Sequence, residues 1–202
     1  MTRTGTAQET PIAPTHRDGN DVELYEDGGV LEATGLTTLP ERQLAVTHWL
    51  LSATEDRDQA RNQWKQQDVA LLACGGLLSA VRIPAHLVWA AAKTERLEYV
   101  DAFLRGWFDG GAVIMDLHTQ LYYALVPGTA DWKWTGRHYP GTGFLGLDHF
   151  LGVPAVHLSE PKGRSYWCVP MEGPGDLCYV DEVEQLLKSA GLPAARESAG
   201  DR

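Results

Sequence analysis

Between residues 39 and 192, short apolar runs closed by glycine or proline alternate with stretches whose apolar side chains recur every three or four positions. The first pattern is that of strands and the second that of helices buried along one face. Pro40 and Glu41 open a helical stretch that carries Val46, Trp49, Leu50 and Ala53 on one side. Thr54, Glu55 and Asp56 place a capping hydroxyl and two acids ahead of Ala60 and Trp64, which predicts a second helix ending near Gln67. Residues 69–74 and 78–83 flank Gly75 and Gly76 and read as two strands, with a hairpin as one way to join them. From Pro84 to about Trp107 the spacing predicts the longest helix, stopped by Gly110 and Gly111.

Residues 112–117 and 120–126 are apolar and aromatic runs around His118 and Thr119, the pattern of paired antiparallel strands. Residues 129–143 have no regular period and read as a long loop. Further strands are expected over 144–153 and 166–169, and a last helix carries Val180, Val183, Leu186, Leu187 and Ala190 on one face. Interleaved strands and helices of this kind predict an α+β fold, a mainly antiparallel sheet packed with helices.

The chain has 202 residues, enough for one domain with tails. Residues 1–38 are rich in Thr, Gly, Asp and Glu with few large apolar side chains, so burial there cannot offset the ordering entropy, and a disordered acidic tail is expected. Residues 193–202 read as a flexible C-terminal tail. Acids outnumber Lys and Arg by 27 to 17, a net charge of −10, which excludes a protein that coats nucleic acid through bulk electrostatics. Cys74, Cys168 and Cys178 form no CxxC pair and no even framework, which points to a reducing cytoplasm. No window has the length and apolarity of a membrane span, so no membrane partner is expected.

One region runs against the overall charge. Between residues 129 and 165, Lys133, Arg137, Lys162 and Arg164 outnumber Asp131, Asp148 and Glu160, and His138, His149 and His157 lie among them. With Trp132, Trp134 and Tyr139 interleaved, this stretch has the composition of a surface that tracks phosphates and stacks bases. The competing reading is a solvated loop with its tryptophans folded onto the sheet. The histidines have no HxH or HExxH spacing, so no metal or other cofactor is expected. Cys74 lacks a nucleophile elbow and reads as a small buried thiol, and Gly75-Gly76 lacks the Lys-Ser or Lys-Thr of a phosphate loop.

The order of features in HTQLYYALVPGTA, a long loop, and GFLGLDHFLGVPAVHLSEPKGRSYWCVP resembles the later half of the bifunctional DNA primase/polymerase domain of the archaeo-eukaryotic primase class. A looser resemblance extends upstream through TEDRDQARNQWKQQDVALLACGGLLSAVRI, and the whole covers about residues 54–192, in the style of short actinobacterial forms. The resemblance implies a strand carrying Asp-x-Asp or Asp-x-Glu, because two divalent ions need anionic oxygen ligands. The corresponding segment here reads Ser79-Ala80-Val81-Arg82-Ile83-Pro84 and has no carboxylate.

The resemblance therefore implies a degenerate, non-catalytic domain with no catalytic residues. Its expected role is binding of a nucleotide or single-stranded DNA, or regulation linked to replication. His118 and Tyr122 would be remnants of the nucleotide site, and Tyr122 and Tyr123 fall where the family has an aromatic strand. The expected nucleic-acid-binding residues are Lys133, Trp134, Arg137, His138, His149, His157, Lys162 and Arg164. Two other readings stand beside this one. In the first, a protein interaction module keeps only the fold and uses its acidic tail and aromatic loop on a protein partner. In the second, an enzyme has a rearranged metal site around Asp116, Asp148 and His118.

Overall fold

The computed structural model describes residues 38–134 and 139–191. The expected acidic tail (apart from Thr38) and the C-terminal tail lie outside the described residues. The first helix, α1 (Leu39–Leu50), starts where Thr38 donates its backbone N–H to Glu41 Oε2 at 2.7 Å, which satisfies an end group that the helix itself cannot. Helix α2 (Arg57–Gln67) is capped by Asp56, whose Oδ1 accepts the Gln59 N–H at 2.8 Å. There follow β1 (Val69–Ala73), β2 (Leu78–Pro84), α3 (Ala85–Ala92), α4 (Leu97–Trp107), β3 (Val113–Asp116) and β4 (Leu121–Pro127). After a short 3-10 turn at Ala130–Lys133 come β5 (Gly143–Leu145), β6 (Phe150–Pro154), β7 (Ser165–Val169) and α5 (Val180–Ser189).

Five strands form one antiparallel sheet in the order β5-β2-β4-β3-β7, and β1 pairs with β6 in a separate antiparallel ladder. The α+β fold with a mainly antiparallel sheet is thus present. Because side chains alternate along a strand, the large sheet feeds two cores. Val81, Ile83, Met115, Tyr122, Ala124 and Tyr166 point to the side covered by α3, α4 and α5. Ala80, Ile114, Leu125 and Trp167 point to the other side, where they meet Ala70 and Leu72 of β1, Leu151 and Val153 of β6, and the buried faces of α1 and α2.

Two indoles fasten β6 to its neighbours. Trp64 Nε1 donates to the Val153 carbonyl at 2.8 Å, and Trp167 Nε1 donates to the Pro154 carbonyl at 3.1 Å. Both bonds are buried, so neither carbonyl competes for water.

Three sequence expectations change. The strands around Gly75-Gly76 form, but they do not pair with each other: β1 joins β6, while β2 lies between β4 and β5. Gly75 takes φ +93° and donates its N–H to Leu78 O at 2.8 Å, a turn that hands the chain from one sheet to the other. The helix expected over 84–107 is broken at Lys93, where φ is +56° and the N–H groups of Lys93 and Thr94 return to Ala90 O and Trp89 O. The run at 144–153 is two strands in different sheets, separated by Asp148 at φ +65°.

On the helix side, the Asp101 carboxylate is 4% exposed and accepts the Tyr166 hydroxyl at 3.0 Å. Tyr166 and Cys168 of β7, Tyr122 of β4 and Arg105 of its own helix are the titratable groups around it. Burial pushes its carboxyl up to about 6, against the opposing pull of the Tyr166 hydrogen bond and the Arg105 guanidinium. The unfolded chain binds this proton less tightly than the folded one. The resulting stabilisation is complete below the ordinary value of 3.8 and is lost as pH rises through about 6. Urea unfolding at a series of pH values should show this group contributing a loss on the order of 2 kcal/mol across that window, and Asp101→Asn should remove the contribution. Unchanged pH dependence in the Asn variant would refute the assignment.

Candidate functional site

Beyond the region where β1, β6 and α2 cover the large sheet, that same face opens into a cleft of about 460 Å³. The end of β3 and the start of β7 form one wall, since Asp116 and Ser165 are cross-strand partners and their side chains share a face. Tyr123 of β4 lies two positions further along this face, half-buried, and Leu145 of β5 follows. Leu71 of β1 and Phe150 of β6, exposed on the outward side of their ladder, lie at the rim of the cleft. Gln63 and Gln67, one helical turn apart on α2, and Arg164, just ahead of β7, complete the polar lining.

The groups in the cleft differ in how they are satisfied. Asp116 Oδ1 accepts the backbone N–H groups of His118 at 2.9 Å and Thr119 at 3.2 Å, which fixes the β3–β4 turn. Gln63 Oε1 accepts the Leu71 N–H at 2.9 Å, covering the free edge of β1 and leaving the amide nitrogen as a donor. Ser165 Oγ is buried and has no hydrogen-bond partner among the described residues. Burial, reinforced by the Asp116 carboxylate, holds the Tyr123 phenol above its ordinary value and so keeps it neutral. Arg82 stands opposite Tyr123 on β2, but its guanidinium lies along β5, where a Cβ added at Gly143 would be 3.3 Å from Nη2.

The residues singled out in the sequence are divided among several places. Arg164 lines the cleft and also a shallow groove with Leu117, His118 and Gly163, so His118 and Arg164 do meet. Lys162 is exposed and forms a salt bridge with Glu160. His157 is exposed in the β6–β7 connection, and exposed His149 sets Nδ1 3.0 Å from the Leu147 carbonyl. Lys133 is exposed at the other edge of the sheet, its ammonium 5.2 Å from the centre of the Trp132 ring. The edge strands β5 and β7 lie about 19 Å apart at roughly 4.8 Å per strand; Arg164 immediately precedes β7, whereas the neighbours of Lys133, Asp131 and Trp134, lie beside Gly143 and Phe144 of β5. Among the described residues, the basic side chains between 129 and 165 are therefore divided between the two edges of the sheet. Arg137 and His138 lie outside the described residues.

No family model, curated protein or solved structure matches this chain.

Two expected contact residues are corrected. Trp134 is 3% exposed and belongs to the helix-side core with Tyr139, so it presents no face to a base. Of the two tryptophans in this stretch, Trp134 folds back onto the sheet and Trp132 does not, being 78% exposed. Tyr122 is fully buried on the helix side, where its hydroxyl accepts the Trp89 indole N–H at 3.3 Å. The period of two sends its neighbour Tyr123 to the cleft instead.

Among the described residues no group of three or more His, Cys, Asp or Glu is placed to hold a metal ion, so Asp116, Asp148 and His118 do not converge. Burial raises the Cys74 thiol to about 11, the behaviour of a core side chain and not of a nucleophile. Also among the described residues, no helix is long and apolar enough to cross a membrane.

Gln63, Gln67, Phe150 and Ser165 escaped the sequence reading. Two glutamines four apart on a polar helix give no periodic signal, and Phe150 reads as one more apolar residue in a strand. Ser165 left a trace: it is the one aliphatic hydroxyl in the otherwise apolar and aromatic strand β7.

Proposed function

We propose that this chain is a non-catalytic, primase/polymerase-like domain that binds a nucleotide or single-stranded DNA in the cleft and serves a replication-linked regulatory role in the cytoplasm. The observation that carries the reading is the cleft itself. It combines the guanidinium of Arg164, the unpartnered hydroxyl of Ser165, and the rings of Tyr123 and Phe150 in one concavity. Guanidinium and hydroxyl groups serve phosphate oxygens, rings serve base faces, and carboxamides serve base edges. Ala80 and Arg82 occupy the same face of β2 in place of carboxylates, which leaves nothing there to hold divalent ions. The three buried, unpaired cysteines suit a reducing compartment.

Two outcomes are expected. Purified protein incorporates no labelled nucleotide on a primed template with Mg²⁺ or Mn²⁺. It binds a fluorescent oligonucleotide with an affinity that falls steeply with salt, and Tyr123→Ala weakens that binding by about tenfold, since a base stacked on an aromatic ring contributes roughly 1–3 kcal/mol. Robust incorporation that disappears in Asp116→Ala, or no binding even at low salt, would overturn the proposal.

A second reading, a protein interaction module, is favoured by a different observation. Leu71, Leu147 and Phe150 are 56%, 74% and 65% exposed, on and beside the outward face of the β1–β6 ladder. Clustered apolar exposure of this kind marks docking surfaces. Loss of an oligonucleotide signal together with stable capture of a protein partner that Phe150→Ser abolishes would select it.

A further inference from the structure

We infer that the cleft is built for a nucleotide unit bearing a single phosphate group, held by Arg164 and Ser165 without a divalent cation. The inference rests on the nucleotide-binding reading above and narrows it. The described lining carries one cation, Arg164, and one anion, Asp116. Arg82 of β2, opposite Tyr123, lays its guanidinium along Gly143 and is not among the residues of the described lining. A triphosphate would bring several further negative charges past Asp116 into a chain of net charge −10, with no second cation and no carboxylate pair in the described lining. A monophosphate brings only about 1.5 to 2 negative charges near neutral pH.

The donors match one phosphate group as well. A guanidinium grips two oxygens of the same phosphate through its parallel N–H groups. Ser165 follows Arg164 directly in the chain, and its hydroxyl is one of the few buried side-chain polar atoms with no partner. Such a group costs free energy in the empty protein, which donation to a third phosphate oxygen would relieve. At the other end, the Gln63 amide nitrogen is free to donate to a base edge, because its oxygen is committed to Leu71. Asp116 keeps Oδ2 available to accept from sugar hydroxyls, its Oδ1 being held by the turn. A volume of about 460 Å³ lies within the range of roughly 300–1,000 Å³ usual for small-ligand sites.

The phosphate could belong to a free nucleotide or to a strand end, and one calorimetric series separates the two. AMP, adenosine, ATP with Mg²⁺, ATP with EDTA, and a short oligonucleotide with and without a 5′-phosphate are titrated into the full chain. AMP is expected to bind at least tenfold more tightly than adenosine and than ATP, with no effect of EDTA. Arg164→Gln is expected to abolish the preference for AMP over adenosine. Ser165→Ala is expected to weaken AMP several-fold while leaving Tm unchanged or higher, because it deletes a hydroxyl that has no partner. A tenfold preference for the phosphorylated oligonucleotide over its plain twin assigns the site to strand ends, and its absence assigns it to free nucleotides. Tighter binding of Mg²⁺-ATP than AMP, or an Arg164→Gln protein that still prefers AMP to adenosine, would overturn this inference and leave the nucleotide reading standing. No heat and no displacement with any nucleotide or oligonucleotide would overturn both.

Discussion

Trp167→Ala is expected to lower the stability of the protein by about 3–5 kcal/mol, the range for deleting a large buried aromatic. Trp167 is 1% exposed and sits where the large sheet meets the β1–β6 ladder. Its removal opens a cavity in the second core and also strands the Pro154 carbonyl, which the indole N–H now serves at 3.1 Å. Trp167→Phe retains most of the apolar bulk and loses the donor, so it should cost less than the alanine variant and more than a conservative swap at the surface. Chemical denaturation of the three proteins separates the packing and hydrogen-bond contributions. Equal stability of Trp167→Ala and the wild type would mean that the two sheets are not held together in the way described.

Gly128→Val should be more severe and is expected to prevent folding at ordinary temperature. A Cβ at this position would lie 1.9 Å from the Gly76 carbonyl oxygen and 3.0 Å from that of Gly75. Both neighbours are backbone, so no side chain can swing aside, and relief requires moving the β1–β2 turn away from the end of β4. That turn is itself fixed, by the Gly75 N–H to Leu78 bond and the Cys74 N–H to His149 bond at 2.9 Å. Gly106→Ala in α4 serves as the opposite case, because a Cβ there meets nothing within 4 Å. It should stabilise the protein by roughly 0.5–1 kcal/mol through helix propensity. Thermal melts of both variants give the comparison, and a Gly128→Val protein that melts like the wild type would contradict the packing at the turn.

The sequence carried local structure better than it carried pairing. Every helix and strand in the described region falls on a run that its periodicity marks, because apolar spacing reports which face is buried. What spacing does not report is the partner. Apolar runs on either side of Gly75-Gly76 look the same whether they pair with each other or part into two sheets, and that choice depends on contacts about 80 residues away, such as Val69 with Pro154. The break at Lys93 was hidden for a related reason: a lysine in the left-handed region carries no glycine signal.

The site was legible only where chain neighbours supply it. Arg164 could be named from the local excess of basic residues and His118 from the family resemblance, and Tyr123 was one of two adjacent candidates. Choosing between Tyr122 and Tyr123 requires the strand's face, and an apolar and aromatic run with both neighbours large does not announce it. Lys133 and Arg164 are close in sequence, yet β5 and β7, beside which they lie, are the two edges of the sheet, so proximity along the chain became separation in space.

In the proposed function the cleft, and not the loop rich in tryptophan and basic residues, receives the ligand. Titrating ¹⁵N-labelled protein with AMP and following the assigned backbone amides tests it directly. Shifts are expected at Arg164, Ser165, Asp116 to Thr119 and Tyr123, together with the Gln63 side-chain amide, while Lys133 and Trp134 stay in place. Shifts concentrated at Trp132 to Trp134 and Tyr139, with Ser165 unmoved, would contradict it.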